Sequence, residues 1–189
     1  MILAGRQVRL EPLAEEHREP LRLAADDDRI WEHMTILARG PGFDEWFDTA
    51  IRQHRENKRV PWAVRRIADE ALIGSTSFLD PVSEHRRVEI GATWYRPDTW
   101  ATTVNPECKL LLMTHAFETL GWNRVQYVTD IRNERSQAAI AKLGAKREGV
   151  LRSHMITRGG RIRDSVVFAI TKDEWPQVKE GLLTRLSRT

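Results

Sequence analysis

Cysteine is nearly absent from this 189-residue chain, in which Cys108 is the only one. One cysteine cannot form an intramolecular disulfide or a cysteine-based zinc site, and the pattern of small secreted scaffolds is missing. This composition fits a reducing compartment and predicts a cytoplasmic protein. We expect Cys108 to be a small buried apolar side chain, because the sequence around it offers no histidine and acid to activate a nucleophile.

Long apolar runs are also missing. No stretch approaches the roughly 18 apolar residues that a membrane span requires. The first ten residues lack the basic segment and apolar core of a signal peptide. The sequence therefore predicts a soluble, unprocessed protein without a membrane partner.

Neither sign of charge is in large excess. The 30 basic and 27 acidic side chains leave a formal charge of +3, so the pI near 9.3 gives no reason to expect a polyanionic partner. The seven tryptophans do not alternate with basic residues as an RNA-binding strand requires, and we predict no nucleic-acid partner. The six histidines lack paired metal-ligand spacing with a third ligand, so we predict no metal.

The length and the first half of the chain predict one domain over residues 1–189, because two hydrophobic cores need a longer chain. Residues 6–10 predict a first strand, followed by a helix from Leu13 to Ala25 that breaks near Pro20. Asp44 is expected to cap a second helix. Turn residues then separate three strands that predict antiparallel hairpins, at 62–66, 71–79 and 87–95.

The second half of the chain has clearer helix signals. Asn105 is a good N-cap residue and Pro106 suits a first helical position, so we predict a helix from 105 that Gly121 closes. The further predicted elements are a strand at 124–129, a helix at 134–143, strands at 146–157 and 162–170 joined by Gly159-Gly160, and a helix at 173–187. This order predicts the α/β (α+β) class, with a mixed, mostly antiparallel twisted central sheet of about seven strands and helices on both faces.

Residues 133–144 are the most informative stretch. Asn133 is a good N-cap, Ser136 falls at the third helical position, and Gly144 is the expected stop after a strand that runs directly into this helix. A strand that leads into a polar helix start is where α/β folds hold phosphorylated ligands. Together with Val-Glu-Ile-Gly at 88–91 and the capped helix at 105, this order resembles the GNAT superfamily of acetyl-CoA-dependent N-acetyltransferases. Its ribosomal-protein N-terminal acetyltransferase branch looks most similar.

The resemblance covers nearly the whole chain and implies a GNAT fold, acetyl-CoA (CoA) as co-substrate and a homodimer. It also implies that the pantetheine arm lies where the strand at 87–95 splays away from the strand at 124–129. Gly91 indicates a bulge or a close backbone approach there, or alternatively an ordinary weak spot in an edge strand. The implied cofactor-binding residues are Thr93, Trp94, Tyr95, Thr102, Thr103, Val104, Asn105, Asn133, Ser136 and Lys142.

The expected pyrophosphate loop departs from the family pattern. Relatives carry Gln or Arg followed by a Gly-x-Gly or Gly-x-Ala turn, whereas residues 100–105 contain no glycine. Amides at a helix start still favour an anion, and the hydroxyls of Thr102 and Thr103 could add donors. Loss of glycine nevertheless restricts the backbone, so a CoA-binding relative without catalytic activity is an alternative to an enzyme.

Acetyl transfer from a thioester to an amine needs a neutral amine, a stabilised oxyanion and a proton for the leaving thiolate. Glu89 matches the strand position where many GNAT enzymes keep a basic carboxylate, and strand alternation predicts that it shares a face with Gly91 and Thr93. We expect Glu89 to be the base, acting through water, with main-chain N–H groups of residues 92–94 contacting the oxyanion. The alternative is a surface ion pair of Glu89 with a neighbouring arginine, Arg86 or Arg87.

The helix at 134–143 lacks the tyrosine that many relatives use as the thiol acid. Ser136 matches the Asn-x-x-Ser pattern of the ribosomal branch, and we expect it to hydrogen-bond the CoA sulfur and relay a proton. It could instead only solvate the helix backbone. By the same match, Asn133 would cap the helix and contact the pantetheine amide, while Lys142 would meet the nucleotide phosphate or lie on a solvated helix face.

The acceptor amine is predicted from proton chemistry together with the resemblance. An N-terminal α-amine has a pKa of about 7.7 to 8.0, so about a tenth of it is neutral at pH 7, whereas a lysine amine is neutral only about once in 2,500. A weak base such as Glu89 therefore suits a protein or peptide N-terminus, with a small-molecule amine such as an antibiotic or polyamine as the rival. The expected substrate residues are Trp31, His33 and Met34, with the turn at 39–42 and the hairpin at 158–163 as further walls.

Overall fold

A computed structural model describes residues 1–188 and shows one sheet of eight strands in the order β1-β2-β3-β4-β5-β6-β8-β7. The strands are β1 (Leu3–Ala4), β2 (Val8–Pro12), β3 (Arg59–Arg66), β4 (Leu72–Val82), β5 (Arg87–Tyr95), β6 (Arg124–Asp130), β7 (Lys146–Ile156) and β8 (Ile162–Thr171). The α-helices are α1 (Arg18–Ala24), α2 (Gly42–Arg55), α3 (Val104–Thr114), α4 (Glu134–Ala141) and α5 (Trp175–Ser187).

The mixed, mostly antiparallel sheet is as expected. All neighbouring strands pair antiparallel except β5 and β6, which pair parallel. The sheet has one strand more than the predicted seven, because the two-residue β1 pairs with β2 at the edge. A strand of two residues is too short to show the alternation of apolar and polar side chains by which a strand is recognised in a sequence.

Two details of the first helices differ from the prediction. Pro20 does not break the helix, because it lies in the first turn of α1, where its backbone nitrogen has no intrahelical acceptor to lose. The prediction that Asp44 caps the second helix is wrong, since α2 already begins at Gly42. Asp44 lies in the first turn, where its carboxylate accepts hydrogen bonds from the guanidinium groups of Arg18 and Arg22.

Helix α3 also starts earlier than predicted. Thr103 is its N-cap, so Asn105 is the second helical residue and not the cap. The helix continues through a π-helical turn at 115–119 and stops at Gly121, whose φ of 65° suits a residue without a side chain. The cap of α4 is as predicted, because Asn133 Oδ1 accepts the Ser136 N–H at 2.9 Å.

Helices cover both faces of the sheet, as expected. On one face, Leu21 of α1 and Phe47 of α2 belong to a core cluster with Trp94 of β5. The other face buries side chains of α3, α4 and α5, including Cys108 and Leu182. Cys108 is fully buried, and burial raises the pKa of its thiol to about 12, so the expected small, unreactive core residue is confirmed.

A buried carboxylate joins the start of the chain to α3. Glu107 is 6% exposed, and its oxygens accept the backbone N–H groups of Arg6, Gln7 and Val8 at 2.7, 2.8 and 2.9 Å. The side chain of Gln7 in turn accepts the Thr103 hydroxyl at 2.5 Å. The N-terminal strands are therefore attached directly to the residues around the first turn of α3.

Two kinds of feature are absent from residues 1–188. None of the helices there combines the length and apolarity needed to cross a membrane. In the same part of the chain, no three side chains among His, Cys, Asp and Glu are grouped so that they could hold a metal ion.

Candidate active site

A gap opens in the middle of the sheet between β5 and β6. The two strands pair only from Arg87 with Arg124 to Glu89 with Gln126. Beyond this point their registered pairing ends, so the cleft-side edge of β5 from Ile90 to Tyr95 is not paired with β6. The structure thus has the strand splay that the family resemblance implied.

A bulge distorts β5 along this gap. Ser77 of β4 pairs with Gly91 and Ser75 pairs with Trp94, so Thr76 lies opposite two residues, Ala92 and Thr93. Ala92 adopts a φ of 46°, a left-handed conformation that usually belongs to glycine. A bulge therefore exists beside Gly91, at Ala92 and Thr93, while Gly91 itself keeps its pairing with Ser77.

The bulge changes which side chains share a face of β5. An extra residue reverses the alternation, so Glu89 and Gly91 lie on the face of Trp94, which packs against Trp31 with ring centroids 5.5 Å apart. Thr93 lies on the opposite face, where it contacts α3. The prediction that Glu89 and Thr93 share a face is wrong for this reason.

Glu89 is a largely buried carboxylate near the start of the gap. It accepts one hydrogen bond, from Gln126 Nε2 at 3.4 Å, and within residues 1–188 it forms no ion pair, so the expected alternative of a bridge to Arg86 or Arg87 is wrong. Burial raises the pKa of Glu89, and the Gln126 hydrogen bond and the charge of Arg163 only partly oppose this effect. A carboxyl with a raised pKa is a stronger base than an exposed glutamate.

Gly91 provides the space into which the Glu89 side chain folds. A Cβ atom added at Gly91 would lie 2.8 Å from Glu89 Oε1 and 2.7 Å from Leu79 Cδ1. Both distances are shorter than real Cβ contacts, so any other residue at this position would displace the carboxylate or Leu79. Close approach of a side chain therefore accounts for the glycine.

The loop before α3 makes its turn without glycine. Ala101 has a φ of 59°, so an alanine adopts the left-handed conformation for which glycine is the usual residue. The backbone N–H groups of residues 101–103 and 105 have no hydrogen-bond acceptor within residues 1–188. Unpaired amides at a helix start fit a phosphate group, so this loop can hold an anion despite its composition.

The threonine hydroxyls do not serve as the extra donors that the sequence suggested. Thr102 Oγ1 donates to the carbonyl oxygen of Thr99 at 2.6 Å, and Thr103 Oγ1 donates to Gln7 Oε1 at 2.5 Å. Their protons are used in shaping the loop. Of the predicted cofactor residues, Thr103, Val104, Trp94 and Tyr95 are buried, so only their main-chain atoms can face a ligand.

An arginine and a tryptophan that the sequence analysis missed join the two sides of the gap. The guanidinium carbon of Arg135, in the first turn of α4, lies 3.9 Å from the ring centroid of Trp100, in the loop before α3. The Trp100 indole donates to the Tyr95 carbonyl at 3.0 Å, which fixes the ring. Within residues 1–188 Arg135 forms no ion pair, so a cation without a carboxylate partner lies over a ring of the loop that carries the unpaired amides. No sequence spacing signalled this contact, because it depends on the separation of β5 and β6.

Helix α4 brings its predicted residues to different places. Ser136 is half-buried in the first turn, and its hydroxyl makes no hydrogen bond within residues 1–188. Lys142 is the C-cap at the other end of the helix, roughly 9 Å along the axis from Ser136 at 1.5 Å per residue. Within residues 1–188, no hydrogen bond joins Ser136 to Glu89.

A cavity of about 190 Å³ is lined by the three predicted substrate residues, Trp31, His33 and Met34, among others. Trp31, which lines the cavity, packs against Trp94 of β5. Arg161, which also lines it, forms an ion pair with Asp130 at the end of β6. Two of the lining residues are therefore linked to the strands of the gap, one to β5 and one to β6. Its lining comprises Trp31, Glu32, His33, Met34, Ile36, Leu37, Thr157, Arg158, Gly159 and Arg161, so the hairpin contributes as expected and the turn at 39–42 does not.

The site thus combines a splayed pair of parallel strands, a bulge, unpaired amides before a helix and a largely buried carboxylate. The model of the acetyltransferase (GNAT) domain matches residues 7–146. The chain belongs to this family and is an N-acetyltransferase, an enzyme that transfers an acetyl group to an amine.

Individual relatives extend the match along the chain. YdaF of Bacillus subtilis (strain 168), provisionally named a ribosomal N-acetyltransferase, is 30% identical over 88% of this chain and 90% of its own. YoaA of the same organism, named an uncharacterized N-acetyltransferase, is 31% identical over 63% of this chain and 66% of its own. A crystal structure from T. thermophilus, provisionally named an acetyltransferase, is 39% identical with a TM-score of 0.86, covering 98% of this chain and 96% of that one.

Proposed function

We propose that this enzyme acetylates the N-terminal α-amine of a protein or peptide, by direct transfer from acetyl-CoA in a ternary complex. The observation that carries the proposal is Glu89, a largely buried carboxylate without an ion-pair partner among residues 1–188. It lies on the sheet face where Trp94 and Trp31 lead to the cavity. A carboxylate so placed can take a proton from an amine that enters from the cavity side.

Acetyl-CoA is the co-substrate of GNAT enzymes, and the gap between β5 and β6 suits its pantetheine arm. The unpaired N–H groups of residues 101–103 and 105 would bind the pyrophosphate, because their partial positive charges converge near the α3 dipole. Arg135 would add a full positive charge on the other side of the gap. Asn133 and Ser136, at the start of α4, would lie along the pantetheine arm.

The reaction moves one acetyl group and one proton. The amine nitrogen attacks the thioester carbonyl carbon, and main-chain N–H groups at the β5 bulge stabilise the negative oxygen of the tetrahedral intermediate. Glu89 accepts the amine proton through a water molecule. The carbon–sulfur bond then breaks, and the Ser136 hydroxyl relays a proton: it gives its own to the departing thiolate, which leaves as CoA, and regains one from water, while Glu89 returns the amine proton to water.

The cavity favours a peptide over a polycationic acceptor. Apolar side chains such as Met34 and Leu37 line it, together with Arg158 and Arg161. Its only carboxylate, that of Glu32, is 72% exposed. A polyamine or an aminoglycoside would meet two arginines and a single, exposed carboxylate, whereas an N-terminal residue could bury its side chain against the apolar wall.

The test is mass spectrometry of matched peptides incubated with acetyl-CoA. One peptide has a free alanine or serine N-terminus and no lysine, and the other is blocked at its N-terminus and carries one lysine. We expect acetylation of the first and not of the second, because the α-amine is already partly neutral. Preference for the lysine peptide would refute the α-amine assignment, and activity toward only a polyamine or aminoglycoside would favour the small-molecule acceptor.

Two variants test the assigned roles with the same peptide. Glu89→Gln should lower turnover at pH 6 to 7 and matter less at pH 9, where the amine loses its proton unaided. Ser136→Ala should lower turnover at every pH, because the thiolate needs its proton throughout. Wild-type rates from both variants over this range would show that neither side chain has the proposed role.

The implied homodimer is a separate prediction that light scattering on the purified protein can check.

A further inference from the structure

Helix α3 contains a buried lysine that the proposed chemistry does not use. Lys109 is 5% exposed, and its Nζ atom donates to Thr93 Oγ1 at 2.8 Å and to Thr76 Oγ1 at 3.4 Å. The two threonine hydroxyls are themselves hydrogen-bonded at 2.8 Å. Within residues 1–188, no carboxylate forms an ion pair with this ammonium group.

Stability alone does not account for a lysine at this place. Burial lowers the pKa of Lys109 to about 8. At pH 7 the buried group is still mostly protonated. A methionine of similar length would fill the site without removing a charge from water, and such replacements of buried charges are often stabilising.

The partners of Lys109 are residues of the β5 bulge. Thr93 is one of the two bulged residues, and Thr76 is the β4 residue opposite them. Thr93 Oγ1 also lies 3.3 Å from the carbonyl oxygen of Gly91, so this hydroxyl spans the left-handed Ala92. The ammonium group therefore holds both strands of the bulge at the point where the β5 backbone faces the gap.

We propose that Lys109 is a positioning residue for acyl transfer, which holds Thr93 and thereby aims the main-chain N–H groups of the bulge at the thioester carbonyl. This inference rests on the proposed function for the location of the thioester in the gap. The positive charge below the bulge also strengthens these donors, because an ammonium ion polarises the peptide groups beside it. Lys109 itself does not touch the substrate.

The infrared carbonyl band of bound acetyl-CoA measures how strongly the bulge polarises the thioester, without any turnover. Acetyl-CoA labelled with carbon-13 at the carbonyl is bound to wild type and to Lys109→Met, and infrared difference spectra are recorded. We expect the band to shift to lower frequency on binding to wild type and to shift less in the variant, because weaker donors polarise the carbonyl less. The variant should also lose about tenfold in kcat, less than the hundredfold or more of a deleted oxyanion donor.

Thermal unfolding separates positioning from structural support. Lys109→Met should unfold at an equal or higher temperature than wild type, since a buried charge is removed. The matched control is Cys108→Ala, its buried neighbour, which should unfold at a lower temperature because of the cavity but keep its kcat and its carbonyl shift. Thr93→Val tests the same contact if Lys109→Met folds poorly. It should show the same loss of kcat and of carbonyl shift, and the double variant of Lys109→Met with Thr93→Val should lose no more than either single variant.

An unchanged carbonyl band and kcat in Lys109→Met would overturn the inference. So would additive losses in the double variant with Thr93→Val. Failure of the proposed function looks different, because wild type would then bind acetyl-CoA with a shifted carbonyl band but acetylate no peptide. Lys109→Arg, which keeps the charge, should recover part of the lost band shift.

Discussion

Gly91→Ala displaces the proposed base without removing it. The new Cβ atom would lie 2.8 Å from Glu89 Oε1 and 2.7 Å from Leu79 Cδ1, so the carboxylate has to move away by several tenths of an ångström to about 1 Å. A displacement of about 1 Å at a reacting group costs about a hundredfold in rate. We therefore expect kcat to fall between tenfold and a hundredfold, while acetyl-CoA affinity changes little.

The assay is release of CoA thiol with a peptide substrate from pH 6 to pH 9. The loss should be largest at low pH and shrink as the amine deprotonates by itself. In wild type, kcat/KM should fall as the pH drops through a Glu89 pKa that lies above the ordinary glutamate value. Gly181→Ala in α5 is the matched control, because its Cβ meets no atom within 4 Å, and it should have wild-type activity. Turnover of Gly91→Ala within twofold of wild type at all pH values would refute the assignment of Glu89.

Three further predictions concern the supports of the site. Glu107→Ala should lower the free energy of unfolding by about 3 to 5 kcal/mol in urea titrations, because three backbone N–H groups lose a charged acceptor, and Glu107→Gln should lose less. Ala101→Gly should raise this free energy by about 1 kcal/mol, because glycine adopts the left-handed conformation without strain. An unchanged or lower free energy of unfolding would contradict a left-handed conformation at residue 101. Arg135→Ala should weaken acetyl-CoA binding about tenfold in calorimetry, and its affinity should depend less on salt than that of wild type. The control is Arg147→Ala, at an exposed arginine of β7, which should bind acetyl-CoA normally. Equal affinity of both variants would remove Arg135 from the site.

Features fixed by local sequence were predictable. The Asn133 cap, the strand at 87–95 and the Gly159-Gly160 turn each depend on a few adjacent residues, and the structure has all three. The strand splay came from the resemblance to GNAT enzymes. Local patterns were also sufficient to identify Cys108 as a buried residue.

Features that depend on pairing between distant strands were not predictable. Strand alternation placed Thr93 beside Glu89, but the register of β4 against β5 inserts a bulge that separates them. A positive φ at alanine has no sequence signal, so neither Ala92 nor Ala101 was recognised. The sequence analysis did not single out Lys109, because only the tertiary structure shows that its helix face is covered.

The attachment of the chain start to α3 links two regions that are distant in sequence. Glu107 and Thr103 hold Arg6, Gln7 and Val8, and the same stretch of backbone presents the amides proposed for the pyrophosphate. A ligand that orders this loop should slow hydrogen exchange at residues 6–8, although it touches none of them. For the same reason, a fusion that loosens the first ten residues should weaken acetyl-CoA binding. A C-terminal affinity tag is therefore the better choice for measurements of cofactor binding.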